Sequence, residues 1–449
     1  MGTISRPVLT EGSVGRTLIQ LTLPMIAAMI GMVAFNLVDT FFVGRLGTDQ
    51  LAALSFTFPV VLVVNSIALG LGIGAAAVIS RAIGEGDHAK VRRLTTDSLV
   101  LAVLAVMGFV IIGLSTIGPV FRSLGATERT LPLIRQYMRV WYLGMGFVVI
   151  PMVGNNAIRA TGDTKTPSLI MLVAVVANSL MDPLLIFGLG PFPRLEIAGA
   201  ALATVIARAV TFAVALWVLG VRDRMLALAF PGMRPVVESW KRILFIGVPA
   251  AATRVILPIS IGIVTRLVAS YGTEAIAGFG VATRVEFFAL TVVRALSSVL
   301  MPFVGQNWGA GRLGRVGSGV SYSEKASLVW GALVFAVLAV AARPLASVFN
   351  DSPRVVAVAA IYMRIVPIGY GAYGVALLVI AALSALNRPL HAAALSIAHM
   401  FVLYVPLALA GSYLFGMEGM FGGLALSFFA AGAAGHFLVR HEIRLESVT

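Results

Sequence analysis

Three carboxylates stand where charge is expensive. Asp39, Asp182 and Glu286 fall inside long apolar runs of the 449-residue chain, and a charge at the centre of a bilayer costs at least about 2.5–3.5 kcal/mol on insertion scales. Acids retained at such a cost hold a proton, hold a cation, or neutralise a buried base. Asn36 stands shortly before Asp39, and Asn178 stands one helical turn before Asp182, on the same helix face. Asn155, Asn156 and Thr204 add neutral oxygens from other apolar runs. Carboxylate, amide and hydroxyl oxygens are hard ligands that suit Na⁺. Two carboxylates in one poorly solvated pocket also resist ionising together, so the same groups can carry a proton. The expected coupling set is therefore Asp39, Asp182, Asn178, Thr204, Asn156 and Asn36. Within it, Asp39, Asn178, Asp182 and Thr204 form a candidate Na⁺ site. The plainer reading, in which each Asp merely hydrogen-bonds a neighbouring helix, is the weaker one.

These groups need elements that cross lipid. The chain is 59% hydrophobic and 12% charged, with mean hydropathy +0.98, whereas soluble domains carry about 25% charged residues. Lipid demands internal pairing of every backbone amide, which leaves helices or closed barrels. The apolar runs are long and continuous, without the alternation of barrel strands. About twelve spans are expected, near 18–44, 51–79, 95–117, 130–158, 167–189, 197–220, 243–269, 276–304, 322–342, 355–385, 390–415 and 420–439. The first run is too long for a signal-peptide core and has no small-residue cleavage site, so it counts as a span.

With both termini inside, nineteen Lys and Arg fall on the inner side against six outside. The positive-inside rule then places both termini in the cytoplasm of a plasma (inner) membrane protein. The net charge of +14 is scattered over short loops, which argues against nucleic acid. There is no cysteine, and the five histidines lack metal-ligand spacing. No organic cofactor is expected.

The chain repeats itself. Pro24 pairs with Pro249, Gly47-Thr48 with Gly272-Thr273, Gly84-Glu85-Gly86 with Gly309-Ala310-Gly311, and Tyr137-Met138-Arg139 with Tyr362-Met363-Arg364, all at one offset of 225. This predicts an all-α polytopic protein of two six-helix lobes, residues 1–220 and 243–449, joined by a cytoplasmic linker at 221–242. Six spans is an even number, so the pseudo-two-fold axis should run along the membrane normal. The cleft between such lobes is where alternating access would expose a substrate. The offset carries Asp39 onto Val264 and Asp182 onto Leu407. The scaffold alone therefore does not require either acid, and a coupling site would belong to the first half.

LVDTFFVGRLGTDQLAA, RAIGEGDHAKVRR, IRATGDTKTP and MPFVGQNWGAGR, in that order and spacing, resemble the multidrug and toxic compound extrusion (MATE) family over essentially the whole chain. The resemblance implies a central cavity and rocker-switch export of cationic, amphipathic compounds against H⁺ or Na⁺, by a transporter rather than an enzyme. Asp39, Asn178, Asp182 and Thr204 match the DinF-like branch, while the second-half segments PAAATRVILPISIG and GYGAYGVALLVIAAL lack the acids of the other bacterial branch. Bending of the first helix at Pro24 is part of the same implication. Cavity candidates are Phe35, Tyr137, Trp141, Met152, Arg284 and Glu286. Glu286 has a bland reading as an ion pair with Arg254 and a sharper one as a substrate contact or gate. Arg208, Arg254, Arg284 and Arg294 keep open a flippase for a lipid or lipid-linked saccharide. The expected partners are a small drug-like molecule and membrane lipids, with the chain a monomer.

Overall fold

The computed structural model describes residues 9–227, 229 and 231–446, and those residues form helices and connecting turns with no strand. The first half runs α1 (Val14–Gly44), α2 (Thr48–Gly84), α3 (His88–Ser123), α4 (Leu131–Gly144), α5 (Gly146–Ala160), α6 (Lys165–Phe187) and α7 (Glu196–Trp217), the last extended by a π-helical turn, Val218–Arg222. The second half runs α8 (Met233–Ala269), α9 (Thr273–Gly309), α10 (Leu313–Ser347), α11 (Pro353–Ile365), α12 (Tyr370–Ala385), α13 (Pro389–Ile397) and α14 (Val405–Glu446). A 3₁₀ turn at Val366–Gly369 joins α11 to α12, and a π-helical stretch at Ala398–Tyr404 joins α13 to α14.

Twelve spans emerge once broken helices are taken as units. The fourth expected span is the pair α4–α5, bent by 44°. The tenth is α11 with α12. The eleventh and twelfth share α14, which reverses where Phe415 leaves helical geometry and Gly416 takes a positive φ of 65°. Gly411 then lies against Gly419, and Gly423 against the Leu407 carbonyl, the pairing of an antiparallel helical hairpin. A side chain at position 416 would strain that reversal.

The repeat is visible in the backbone. α2 and α9 are each 37 residues long, and both begin after an extended, positive-φ glycine, Gly47 or Gly272. Gly86 and Gly311 close the following turns with φ of 74° and 70°.

The helices fall into two compact units. The first holds residues 27–251 and the second holds 252–446 together with 9–26. The change of unit within α1 and within α8 comes just after Pro24 and Pro249 respectively.

In the first unit, the segment after α7 is fastened to α3. Trp240 donates to the Asp97 carbonyl at 2.9 Å, and Arg92 donates to the Leu226 carbonyl at 3.0 Å. The glycines of α2 allow close approach: Gly70 and Gly74 receive the α8 backbone at Gly247 and Ile243, and Gly72 faces Asn156. In the second unit, residues 9–12 are held by the α9–α10 corner. Gln306 accepts from the Leu9 amide at 2.9 Å, and Arg315 donates to the carbonyls of Leu9, Glu11 and Gly12.

Candidate functional site

α1 and α6 are neighbours, as the approach of Gly31 to Leu172 and the Phe42–Phe187 ring contact show. Each carries its Asp five residues before its last helical residue, Gly44 or Phe187. At 1.5 Å per residue both carboxylates sit about 8 Å inside those ends. They are close enough for the charge of Asp39 to act on Asp182, and for both to act on the Tyr137 hydroxyl of α4. Asp182 and Asn178 are fully buried. The Asn178 amide donates to Asp182 Oδ1 at 3.2 Å, which is what their one-turn spacing provides.

The remaining oxygens are the telling ones. Asp39 Oδ1, Asn178 Oδ1 and Asp182 Oδ2 are each buried with no hydrogen-bond partner among the described residues. Buried polar atoms are almost always paired, and each exception calls for a proton, a water or an ion. Arg208 of α7 is the base in this region. Its guanidinium lies over the buried Phe35 ring at 4.9 Å and reaches Met171 Sδ at 3.9 Å. No carboxylate in the described residues pairs with it within salt-bridge distance.

Thr204 is buried on α7. Asn156 is committed to its own helix, donating to the Met152 carbonyl at 2.7 Å and accepting from Arg159 at 2.5 Å. Asn155 keeps a buried, unpartnered Oδ1. Asn36 is exposed. The structure thus gathers Asp39, Asp182, Asn178 and Tyr137, while Asn36 is exposed and the Asn156 side chain is engaged within α5. Among the cavity candidates, Phe35, Tyr137 and Trp141 are buried, Met152 is half-buried and Arg284 is exposed. Trp141 stands edge-on to Tyr142.

Glu286, on α9 in the second unit, corrects an expectation. Its partners are two tyrosines: Tyr362 and Tyr370 both donate to Oε2, at 2.5 and 3.1 Å. Arg254 makes no ion pair with it. Two neutral donors satisfy the carboxylate without bringing a second charge out of water, so the pairing costs less than a buried ion pair. These tyrosines were not singled out as Glu286 partners from sequence, although the offset of 225 marks Tyr362 as the counterpart of Tyr137. Around them lie Phe279, Phe421, Phe428, Tyr373, Tyr404 and His399, with Tyr373 stacked on Phe428 at 4.6 Å. Tyr362→Phe should lower stability by about 1.5–3 kcal/mol, the worth of a hydrogen bond to a charged group. A melting curve of the detergent-purified protein reads this directly, and an unchanged midpoint would show that Glu286 does not need the donor.

A duplicated set of membrane-spanning helices, with Asp39 and Asp182 in one half and no counterpart to either in the other, marks a polytopic membrane transporter. The MatE family model matches this chain twice, over residues 24–184 and 249–410, and the two matches begin 225 residues apart, as the repeat requires. The chain belongs to the MatE family of MATE transporters, which are not enzymes. It is 38% identical over 432 residues to a FAD transporter of Shewanella oneidensis, covering 96% of each chain. It is 25% identical to the multidrug export protein MepA of Staphylococcus haemolyticus, covering 93% of this chain and 91% of that one. Among solved structures, the bent form of the Vibrio cholerae MATE transporter VcmN superposes with a TM-score of 0.93 at 30% identity, covering 97% and 98%.

Proposed function

We propose that this protein is a secondary exporter in which H⁺ or Na⁺, taken up at Asp39 and Asp182, is exchanged for a small amphipathic molecule by alternating access. The observation that carries the reading is the set of three buried, unpartnered oxygens on Asp39, Asn178 and Asp182. A proton or cation taken up there cancels one of the two negative charges and gives the unpartnered oxygens a partner. When it leaves, two carboxylates face each other in low dielectric. Such a pocket therefore has two states of different energy. Linkage makes the cation and the substrate weaken each other's binding. Pro24, just before the change of unit in α1, supplies the missing hydrogen bond at which that helix would bend. The chain works as a monomer in the inner membrane, with both termini in the cytoplasm. The coupling ion is its only cofactor.

The test is ethidium efflux from proteoliposomes with proton and sodium gradients imposed separately. Wild type should respond to one gradient, and Asp182→Asn should reduce that response to the passive leak. Efflux that ignores both gradients would sink the coupling.

A second reading concerns the cargo. The relative from Shewanella oneidensis is a FAD transporter, whereas the MepA relative is a multidrug exporter. We hold that a flavin dinucleotide, an anion with a large flat ring, is as good a candidate substrate as an amphipathic cation.

A further inference from the structure

Arg208 is a base that the coupling cycle above leaves unused. Its guanidinium rests on the Phe35 ring of α1 at 4.9 Å and on Met171 Sδ of α6 at 3.9 Å. Its Nε is buried with no hydrogen-bond partner, and no carboxylate among the described residues lies within salt-bridge distance. A cation so placed in a membrane protein is costly unless an anion meets it in some state. Three helices point to which anion. On α1 the residue one turn beyond Phe35, on the same face, is Asp39. On α6 the residues two and three turns beyond Met171 are Asn178 and Asp182. On α7 itself the residue one turn before Arg208 is Thr204. Each helix that meets at Arg208 thus carries its coupling oxygens further along the same face. Gly199 of α7 packs against the Leu185 carbonyl of α6, which sets the register of that hairpin. Arg208 lies nine residues beyond Gly199, and Asp182 three residues short of Leu185, so their Cα atoms differ in depth by about 9 Å. A long side chain closes most of that. Helical side chains lean toward the N-terminus, which for Arg208 is the direction of the acids.

The repeat adds an independent argument. Adding 225 carries Arg208 onto Ala433, just as it carries Asp39 onto Val264 and Asp182 onto Leu407. The second half builds the same helix without a base, so packing does not call for the arginine. The half that has the two acids has the base, and the half that lacks them lacks it.

We propose that Arg208 is a tethered cation that takes the coupling ion's place. With the ion bound, the guanidinium keeps its seat on Phe35 and Met171. When the ion leaves, the side chain turns toward the acids, and its N–H groups meet the unpartnered oxygens of Asp39 and Asp182. Only hydrogen bonds are exchanged, and the pocket is spared two bare carboxylates. A guanidinium fork fits carboxylate oxygens, and the oxygens it takes are those that a proton or Na⁺ needs. Arg208 therefore weakens the hold on the ion, which an exporter must release once in every cycle. This inference rests on the coupling reading above and adds a residue to it.

The test compares wild type, Arg208→Gln and Arg208→Lys as full chains in detergent, with no gradient. Binding of radiolabelled Na⁺ at fixed pH reads one ion, and dye-reported proton uptake across a pH titration reads the other. Arg208→Gln should bind the coupling ion more tightly than wild type by about tenfold or more, the worth of a charge-assisted contact. Arg208→Lys keeps the charge but not the fork, and its affinity should fall between the two. Tighter binding is a result that mere loss of structure cannot produce. If Arg208→Gln does not fold, Arg208→Lys carries the test with the same sign. In an Asp39→Asn background the gain from Arg208→Gln should shrink, because the two groups act on one another. An affinity unchanged or weakened in both variants would overturn the proposal. That result, beside binding that Asp182→Asn abolishes, leaves the coupling reading standing. Binding that Asp182→Asn does not touch, or no binding in any of these proteins, overturns the coupling reading and this one with it.

Discussion

Asp39→Asn is expected to reduce gradient-driven export to the passive leak while leaving the protein folded. Asparagine keeps the shape of aspartate but cannot release a proton or balance a bound cation. Asp39 Oδ1 has no partner among the described residues, so the substitution breaks no hydrogen bond at that atom. It also removes one of two charges that oppose each other across α1 and α6. Stability should therefore stay within about 1 kcal/mol of wild type or rise. Proteoliposome efflux and a melting curve on the same preparation separate the two effects. Export at the wild-type rate would take Asp39 out of the mechanism, and a protein that no longer melts cooperatively would make it a structural residue.

Gly74→Val should be the most damaging change outside the polar pockets. A Cβ at Gly74 meets the Ile243 carbonyl of α8, and one at Gly70 meets the Gly247 carbonyl at 2.5 Å and Ala251 Cβ at 2.7 Å. These obstacles are largely backbone, which cannot rotate aside as a long side chain can. In a membrane, close backbone packing between small residues is a principal source of helix association. Overpacking of this kind costs about 3 kcal/mol or more. The expected result is a sharp fall in recovered, monodisperse protein and a lower melting midpoint. Gly108→Val, on α3, is the control, because a Cβ there meets nothing within 4 Å. Equal loss in both variants would mean that the α2–α8 approach is not what the glycine protects.

Most of the architecture is legible in the sequence because lipid leaves so few options. Length of apolar run, proline and glycine punctuation and the offset of 225 are enough to place twelve spans and two related halves. What they do not reveal is where a span breaks. The 44° bend between α4 and α5 falls at Met145, between Gly144 and Gly146, and hydropathy is blind to it. The acids were legible for the same reason as the spans, since each is an expensive exception in an apolar run. Asn178 followed from one helical turn of spacing. Tyr137 was legible as a position of the repeat and a cavity candidate, but its place beside both carboxylates depends on how α4 packs, which no local pattern encodes. Of the two readings open for Glu286, the ion pair with Arg254 is the one the structure does not form. Charge alone suggests an arginine as its partner, while the fold supplies two phenols from α11 and α12. Asn36 shows the converse: its spacing from Asp39 looked useful, and the structure leaves its side chain exposed.

The clasp around residues 9–12 has a consequence in time. Gln306, Asn307, Arg312 and Arg315 hold a strand of chain that precedes them by about 300 residues. At a synthesis rate of roughly 5–20 residues per second, residues 9–12 wait on the order of 15–60 seconds for their partners to be made. Through that interval they emerge with their carbonyls hydrated, and the first turns of α1 lack the surface that finally encloses them. Docking of residues 9–12 in the second unit therefore follows synthesis of residues 306–315, and a ribosome stalled before residue 306 holds a chain whose first helix is still unmoored.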